Sequence, residues 1–300
     1  MRITVTGATG LIGRRLVAAL LDRGDEVTVL SRNPVDARAS LGVEAVAWDP
    51  AHDPAPAEAL AGRDGVVHLA GEPIAQRWTT ESKERIRSSR ESGTARLVEG
   101  LKQAESRPSV LVSASAIGFY GARGDERLDE TASAGSGFLA SVCEGWERAA
   151  ATARSLDMRV VSLRTGVLLD RHDGALARMM PPFKLGVGGP VAGGAQYISW
   201  IAPDDLVRMY CAALDDESWS GPVNATAPEP VTNREFSAAL GRALHRPAVM
   251  PVPGAALRVL YGEMASVVTT GQRAIPVRAV EHGFQFTHLT IDEALAAAIG

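Results

Sequence analysis

Three glycines near the amino terminus have the spacing of a phosphate-binding turn. Gly7, Gly10 and Gly13 follow a β-branched run, Arg2 to Thr6, and precede apolar residues at helical spacing over 11–21. A strand that turns tightly into a helix brings bare backbone amides to a diphosphate at the positive end of that helix. Gly7 would allow the turn, Gly10 would leave room for the phosphates, and Gly13 would let the helix pack closely on the strand. The pattern therefore predicts a dinucleotide site rather than a purely structural turn.

The end of the second predicted strand, residues 26–30, indicates which dinucleotide is bound. An NAD-selective site places a carboxylate there to hold the ribose 2′-hydroxyl. Here Ser31 and Arg32 stand in that place, and both a hydroxyl and a guanidinium can bond a 2′-phosphate. Asp25 and Glu26 begin the strand, so they lie at the opposite edge of the sheet. The sequence predicts NADP(H) as cofactor; the alternative is that Arg32 is an ordinary solvated loop residue.

Composition limits the class of protein. The chain has 300 residues, of which 46% are hydrophobic and 22% charged, enough for a large core in one or two domains. The net charge of −4 argues against a nucleic-acid or anionic-membrane partner. Two cysteines, Cys143 and Cys211, are too few for a disulfide framework or a zinc site, and no metal is predicted. No signal peptide or membrane-spanning apolar run is recognisable, so we expect a cytoplasmic protein.

Strand and helix patterns alternate as in an α/β protein with a doubly wound parallel sheet, the Rossmann fold. The predicted strands are 2–6, 26–30, 44–48, 65–69, 109–113, 159–164 and 222–224. The predicted helices are 11–21, 79–103 with a break near 92–94, 140–155, 204–214, 233–244 and 291–299. Residues 171–200 are too rich in glycine and proline for a core element, and this composition predicts a substrate loop. We expect a nucleotide-binding domain over 1–170, completed by 200–228, and substrate-side segments over 171–300 with a small carboxyl-terminal domain from about 230.

The first 225 residues or so resemble an extended short-chain dehydrogenase/reductase of the nucleotide-sugar epimerase type. The matching motifs are Thr6-Gly7-Ala8-Thr9-Gly10-Leu11-Ile12-Gly13, Asp64-Gly65-Val66-Val67-His68-Leu69-Ala70-Gly71, and Ser113-Ala114-Ser115 ahead of Tyr120-Gly121. The chain is more closely similar to the atypical "epimerase family" group, which has its own carboxyl-terminal domain of unknown role. That similarity is carried by Gly137-Phe138-Leu139, Trp146-Glu147, Ile198-Ser199-Trp200-Ile201, Asp204-Asp205, Asn224-Ala225-Thr226-Ala227-Pro228, Arg246-Pro247 and Gly283-Phe284.

The resemblance implies which residues bind the cofactor. They are Gly7, Thr9, Gly10, Leu11, Ile12 and Gly13 in the glycine turn, Ser31 and Arg32 after the second strand, Asp49 after the third, Leu69, Ala70 and Gly71 after the fourth, and Ser113 in the fifth.

The catalytic pair of the resembling enzymes is missing. They use Tyr-x-x-x-Lys, in which the lysine lowers the pKa of the phenol so that it can exchange a proton with the substrate. In this sequence the pair becomes Phe138 and Val142, or Leu139 and Cys143, depending on the alignment. Neither pair can transfer a proton usefully.

Other side chains near the same strand could take over this chemistry. Ser115 matches the family's hydrogen-bonding Ser or Thr beside the nicotinamide, and Tyr120 is the one phenol nearby. We predict these two as the catalytic residues, although Tyr120 could instead be an aromatic wall of the pocket. Glu130 and Glu147 could act as acid or base if burial raises their pKa; the alternative for Glu147 is a helix-surface or capping carboxylate.

Three residues after the glycine-rich loop are predicted to contact substrate: Gln196, Ser199 and Trp200. Strand alternation would send Gln196 and Trp200 to one side and Tyr197 and Ser199 to the other. The alternative is simple strand packing.

Two further side chains are predicted to have other roles. His68, inside an apolar strand, is predicted to be a packed core histidine. Arg90 belongs to a mixed-charge helix face that reads as a solvated, salt-bridged surface, with contact to a cofactor phosphate or substrate anion as the alternative.

Together these features predict an NADP(H)-dependent oxidoreductase or epimerase-like enzyme that acts on a small hydroxyl- or carbonyl-bearing substrate. The alternative is a regulatory protein that binds NADPH without catalysis. The sequence allows a homodimer but does not specify one.

Overall fold

The computed structural model describes all residues, Met1–Gly300. The strands are β1 (Arg2–Thr6), β2 (Glu26–Ser31), β3 (Glu44–Ala47), β4 (Gly65–His68), β5 (Val110–Ala116), β6 (Arg127–Leu128), β7 (Arg159–Thr165), β8 (Val167–Leu168), β9 (Tyr197–Ile198), β10 (Trp200–Ile201), β11 (Gly221–Ala225), β12 (Val231–Thr232) and β13 (Arg273–Ala274). The helices are α1 (Leu11–Asp22), α2 (Pro34–Leu41), α3 (Thr80–Gln103), α4 (Phe138–Ala151), α5 (Gly174–Lys184), α6 (Pro203–Asp215), α7 (Asn233–Ala243), α8 (Gly254–Tyr261), α9 (Ser266–Thr269), α10 (Val277–Glu281) and α11 (Ile291–Ile299). None of the helices has both the length and the apolarity needed to cross a membrane.

Seven strands form one parallel sheet in the order β11-β7-β5-β4-β1-β2-β3. The central strands are apolar at nearly every position because helices cover both faces of a doubly wound sheet. α1, α2 and α6 pack on one face, around Leu16 and Tyr210, whereas α3 and α4 pack on the other, around Leu97 and Ala150. The predicted Rossmann sheet is confirmed, and its outermost strand on one side is β11.

Helix α3 is continuous, so the predicted break near 92–94 is wrong. Thr79 and Ser82 form a capping box at its start, and regular helix runs on to Gln103. Gly93 and Thr94 are buried instead of marking a loop, and a Cβ on Gly93 would lie 3.3 Å from the Cβ of Pro50. The small residues therefore allow close packing rather than end the helix.

The segment 171–200 also departs from prediction, because it contains helix α5. The Asp173 side chain caps the first turn, and Leu176, Met180 and Phe183 are buried along one face. Their spacing of four and three residues is that of the apolar face of a helix. Burial of this face stabilises the helix despite the two prolines in its last turn. Residues 185–196 are irregular as expected, and the two short strands β9 and β10 follow from 197.

The carboxyl-terminal segment shares its buried residues with the rest of the chain. Ala279 belongs to the core around α1 and α6, and Ala274 to a small cluster with Tyr120. Helix α11, which begins and ends where predicted, buries Ile291 and Leu295 against α5 and α7. Three separate cores therefore include residues from beyond position 270.

Candidate cofactor and active site

The glycine turn after β1 has the geometry that its sequence predicts. Gly7 has a φ of +68°, and a Cβ there would lie 2.7 Å from the amide nitrogen of Ala70. A Cβ on Gly13 would lie 2.5 Å from the Cα of Ala8, so helix and turn could not approach as closely with any other residue. The turn therefore lies directly against the loop that follows β4.

The first turn of α1 leaves its backbone amides free. Gly10 is the N-cap and offers no side-chain acceptor, and the amides of residues 11–13 donate to no protein group. The first turn contains no acidic residue. Free amides at the positive end of a helix, beside a turn without side chains, fit a diphosphate group.

The ends of β2 and β3 bring Ser31, Arg32 and Asp49 to one edge of the sheet. The Asn33 amide donates to Ser31 Oγ over 3.2 Å, and Arg32 is exposed. The pKa of Asp49 is lowered, first by the backbone amide of Ala51 and also by the charge of Arg32. Asp25 lies at the opposite end of β2, where it accepts from the terminal amine. A cationic group thus faces the edge at which a 2′-phosphate would lie.

His68 is a core residue, as predicted. Its Nδ1 lies 2.7 Å from Thr6 Oγ1 and its Nε2 lies 3.0 Å from Thr94 Oγ1. Burial, assisted by the charge of Arg90, lowers the pKa of His68 to about 4, so the ring is neutral at pH 7. His68 holds β1, β4 and α3 together beneath the loop Leu69–Gly71.

Ser115 lies at the carboxyl end of β5 and is bound by a carboxylate. Its Oγ donates to Glu147 Oε1 over 2.6 Å, and Glu147 in turn accepts two hydrogen bonds of 2.8 Å from Arg164. Burial alone would lower the pKa of Arg164, but its bonds to Glu147 raise it. Ser113 is also buried, with its Oγ on the Ala114 carbonyl. We define Ser115, Glu147 and Arg164 as the serine cluster.

Tyr120 lies inside the protein with its hydroxyl already bonded, a placement that favours a structural role over the predicted catalytic one. Its side chain is fully buried, and its hydroxyl donates to Asn224 Oδ1 over 2.7 Å and accepts from Arg164 over 3.0 Å. Burial raises the pKa of this phenol. Glu130, also buried, accepts from the Asn224 amide. Tyr120 thus joins the turn after β5 to β7 and β11, and Glu130 joins β11 to α10, so both belong to the internal structure.

The residues that align with the missing pair carry no usable acid. A Cβ on Gly118 would lie 3.4 Å from Leu139 Cβ and 3.7 Å from Cys143 Sγ, so both pack against the turn after β5. Burial, followed by the charge of Glu147, raises the pKa of Cys143 to about 12. The thiol is therefore protonated at neutral pH and cannot replace a lysine.

The side chains of the three predicted substrate residues donate to backbone carbonyls of the framework. Ser199 and Trp200 are fully buried: Ser199 Oγ donates to the Gln272 carbonyl, and Trp200 Nε1 donates to the Glu229 carbonyl. Gln196 donates to the Val191 and Val268 carbonyls. For Ser199 and Trp200 this placement favours the strand-packing alternative, because a buried hydroxyl and a buried indole that are bonded to backbone have no free group to offer a ligand. Gln196 is half-buried, and the two carbonyls occupy its Nε2 only.

Sequence reasoning missed Arg164 and Asn224. The sequence does contain a signal for Arg164, because a cation that follows a mostly apolar stretch, Val160–Leu163, in a central strand needs a buried partner. Glu147, one of the two carboxylates proposed as acid or base, is that partner. Nothing in the sequence around Asn224 points to Tyr120.

The comparisons with known proteins agree on one family. Residues 3–224 match the model of the NAD dependent epimerase/dehydratase family, and residues 252–298 match a domain of unknown function, DUF1731. The epimerase family protein Mb2239 of Mycobacterium bovis is 43% identical over 298 residues, which are 99% of this chain and 97% of that protein. The chloroplastic SDR39U1 homolog of Arabidopsis thaliana is 42% identical over 99% of this chain and 86% of its own length.

A solved structure agrees with these matches. The crystal structure of human epimerase family protein SDR39U1 with NADPH superposes with a TM-score of 0.89 at 32% identity, covering 100% of this chain and 99% of the human one. The family match and the full-length relatives both span the glycine turn and the serine cluster. The chain therefore belongs to the NAD dependent epimerase/dehydratase family, and it also contains the DUF1731 segment.

Proposed function

We propose that this protein is an NADP(H)-dependent oxidoreductase or epimerase-like enzyme that acts on a small hydroxyl- or carbonyl-bearing substrate. The cofactor assignment is supported by the free amides of α1, by Arg32 at the end of β2, and by the NADPH in the crystal structure of the human relative. The glycine turn and residues 11–13 would hold the diphosphate, and Ser31 and Arg32 would hold the 2′-phosphate.

The hydrogen bond of 2.6 Å between Ser115 and Glu147 carries the catalytic part of the proposal. Ser115 is the last residue but one of β5, the strand that pairs with β4. In a doubly wound sheet ligands bind outside the carboxyl ends of the strands. The nicotinamide, when bound, exchanges a hydride with the substrate carbon. A serine hydroxyl at this edge can bond the substrate oxygen and move the accompanying proton.

The serine cluster provides the route for that proton. When a substrate alcohol is oxidised, its hydroxyl proton passes to Ser115 Oγ while the serine proton passes to Glu147. Carbonyl reduction reverses both transfers. Arg164 holds the carboxylate with two hydrogen bonds, so Glu147 is positioned before substrate arrives. In this proposal Ser115 and Glu147 are the catalytic residues, because they exchange the protons, and Arg164 is a positioning residue.

Substitution of Ser115 tests the proposal. Metabolite extracts are screened for NADPH oxidation, and turnover is compared between wild type, Ser115→Ala and Tyr120→Phe. We expect Ser115→Ala to lower kcat by about 10- to 1,000-fold, the usual cost of a lost polarising donor, without weakening NADPH binding. Tyr120→Phe should leave kcat within a few-fold, since its hydroxyl faces Asn224. Undiminished turnover in Ser115→Ala would place the chemistry elsewhere.

The second candidate is a regulatory protein that binds NADPH without turnover. The absence of a Tyr-x-x-x-Lys pair favours it, since Leu139 and Cys143 carry no acid or base. Tight NADPH binding together with no oxidation on any extract would support this function over the enzymatic one.

Several finer features belong to the same proposal. We place the protein in the extended, atypical group of reductases, with a nucleotide-binding domain over 1–170 and substrate-side segments over 171–300. We also propose a cytoplasmic location, although the plant relative is named chloroplastic. Fractionation of the source cells and light scattering of the purified protein test the compartment and the suggested homodimer.

A further inference from the structure

Two arginines face each other on neighbouring strands without an acidic partner. Arg127 on β6 and Arg273 on β13 are in register across this short parallel pair. Each is followed by a fully buried apolar residue, so strand alternation turns both arginine side chains to the opposite face. Neighbouring strands lie about 4.8 Å apart, and like charges at that spacing repel unless an anion lies between them. Arg123, on the same loop as β6, is neutralised by Glu126 over 2.7 Å, whereas Arg127 and Arg273 form no ion pair.

The Arg273 side chain is held in place without the use of its hydrogen-bond donors. It is half-buried, and its Cζ lies 4.7 Å from the centroid of the Tyr197 ring. No protein group accepts a hydrogen bond from the guanidinium, so its N–H groups are available to a ligand. Arg127 is exposed and equally unbonded. Because the aromatic ring already orders Arg273, less side-chain entropy is lost when an anion binds there.

Strand β13 is attached to segments that follow the carboxyl ends of β5 and β7. Gln272 Nε2 donates over 2.9 Å to the carbonyl of Gly121, in the loop that continues from Ser115 and β5. Ser199 Oγ donates to the Gln272 carbonyl, and a Cβ on Gly166, directly after β7, would lie 2.5 Å from the Ser199 carbonyl oxygen. Ligands bind outside the carboxyl ends of the strands in a doubly wound sheet. The arginine pair therefore lies on the substrate side, whereas the edge predicted for the 2′-phosphate is at the ends of β2 and β3.

We propose that Arg127 and Arg273 bind a phosphate monoester group of the substrate. A phosphate monoester carries a charge of about −1.5 to −2 at pH 7, which balances two guanidinium groups, whereas a carboxylate would balance only one. The planar fork of each guanidinium can bond two phosphate oxygens at once. The inference rests on the proposed function, because it names the substrate class of that site as small phosphorylated alcohols or carbonyl compounds.

Calorimetry on the NADPH-loaded protein tests the binding itself, with glycerol 3-phosphate as probe and glycerate as its carboxylate counterpart. We expect glycerol 3-phosphate to bind at least tenfold more tightly than glycerate, and Arg127→Met and Arg273→Met each to weaken it at least tenfold. Arg123→Met is the matched control and should change binding less than twofold, since Glu126 already neutralises that charge. Equal affinities of wild type and both variants, or no preference over glycerate, would contradict the inference. Arg127 is exposed, so its variant decides the matter even if Arg273→Met does not fold.

The turnover screen separates this inference from the proposed function. Metabolite extracts are treated with alkaline phosphatase, the phosphatase is removed by filtration, and NADPH is added afterwards. We expect treated extracts to lose their NADPH oxidation, and Arg127→Met and Arg273→Met to oxidise NADPH at least tenfold more slowly on limiting untreated extract, with unchanged NADPH affinity. No oxidation on any untreated extract contradicts the proposed function, and with it the substrate class named here. Oxidation that survives both the phosphatase and the two substitutions contradicts this inference alone.

Discussion

Replacement of Glu147 by glutamine should destabilise the protein strongly, because it removes the counterion of a buried arginine. The Arg164 side chain is 4% exposed and that of Glu147 is 14% exposed, so water cannot replace the lost charge. In Glu147→Gln the guanidinium retains the Tyr120 hydroxyl and the Phe119 ring, 3.5 Å from its Cζ, but no carboxylate. Glutamine preserves the size of the side chain and one acceptor oxygen, so the change is chiefly one of charge.

The expected loss follows from the cost of an uncompensated buried charge. Breaking a buried ion pair by removing one partner costs about 3–5 kcal/mol, and the retained amide oxygen places this variant near 3 kcal/mol. A chain of 300 residues unfolds with an entropy of about 0.6 kcal/mol/K near 60 °C, at about 2.1 cal/mol/K per residue. The unfolding midpoint should therefore fall by about 5 °C.

Thermal unfolding followed by circular dichroism measures this shift. Glu144→Gln is the matched control, since Glu144 is exposed on the same helix and should change stability by less than about 0.5 kcal/mol. If Glu147→Gln and Glu144→Gln unfold within 1 °C of each other, the ion pair does not stabilise the fold as argued here. A double-mutant cycle with Arg164→Met gives a second check, because a coupling energy near zero contradicts a direct pair.

Two further predictions concern the cofactor and the pH dependence of stability. Wild type should bind NADPH at least tenfold more tightly than NADH, a difference of about 1.4 kcal/mol that one phosphate contact can supply. Arg32→Glu should abolish this preference. Calorimetry with both cofactors measures the two affinities, and equal wild-type affinities would contradict the NADP(H) assignment. The folded-state pKa of His68, about 4, lies below its ordinary value of 6.5. The neutral ring therefore contributes stability that is fully present above pH 6.5 and is lost as the pH falls toward 4. The free energy of unfolding should decrease over this range by on the order of 3 kcal/mol. Unfolding midpoints measured from pH 7 to pH 4 should fall more steeply for wild type than for His68→Gln, and parallel curves would count against a buried neutral histidine.

Features governed by local sequence could be predicted, whereas those set by distant contacts could not. The glycine turn and helix α11 follow from residue types at short spacing, so their places were predictable. The predicted break in α3 was wrong because Gly93 meets Pro50, a contact that no local pattern reports. The same holds for the site: Ser115 and Glu147 are recognisable as polar candidates, but their hydrogen bond depends on how α4 packs across β5 and β7. Tyr120 looked like a free phenol because its partner, Asn224, lies 104 positions away.

The buried residues of the carboxyl-terminal segment are divided among several cores, and this division limits how the segment could be exchanged between proteins. Helices α8 and α9 bury none of their residues, and the buried residues of β13, α10 and α11 each belong to a core built mostly from the preceding 240 residues. Cut free, the DUF1731 segment would have almost no apolar interior of its own and would not fold as an independent unit. It is therefore not a module that recombination could attach to an unrelated nucleotide-binding domain, and substitutions in it and in the main sheet are constrained together.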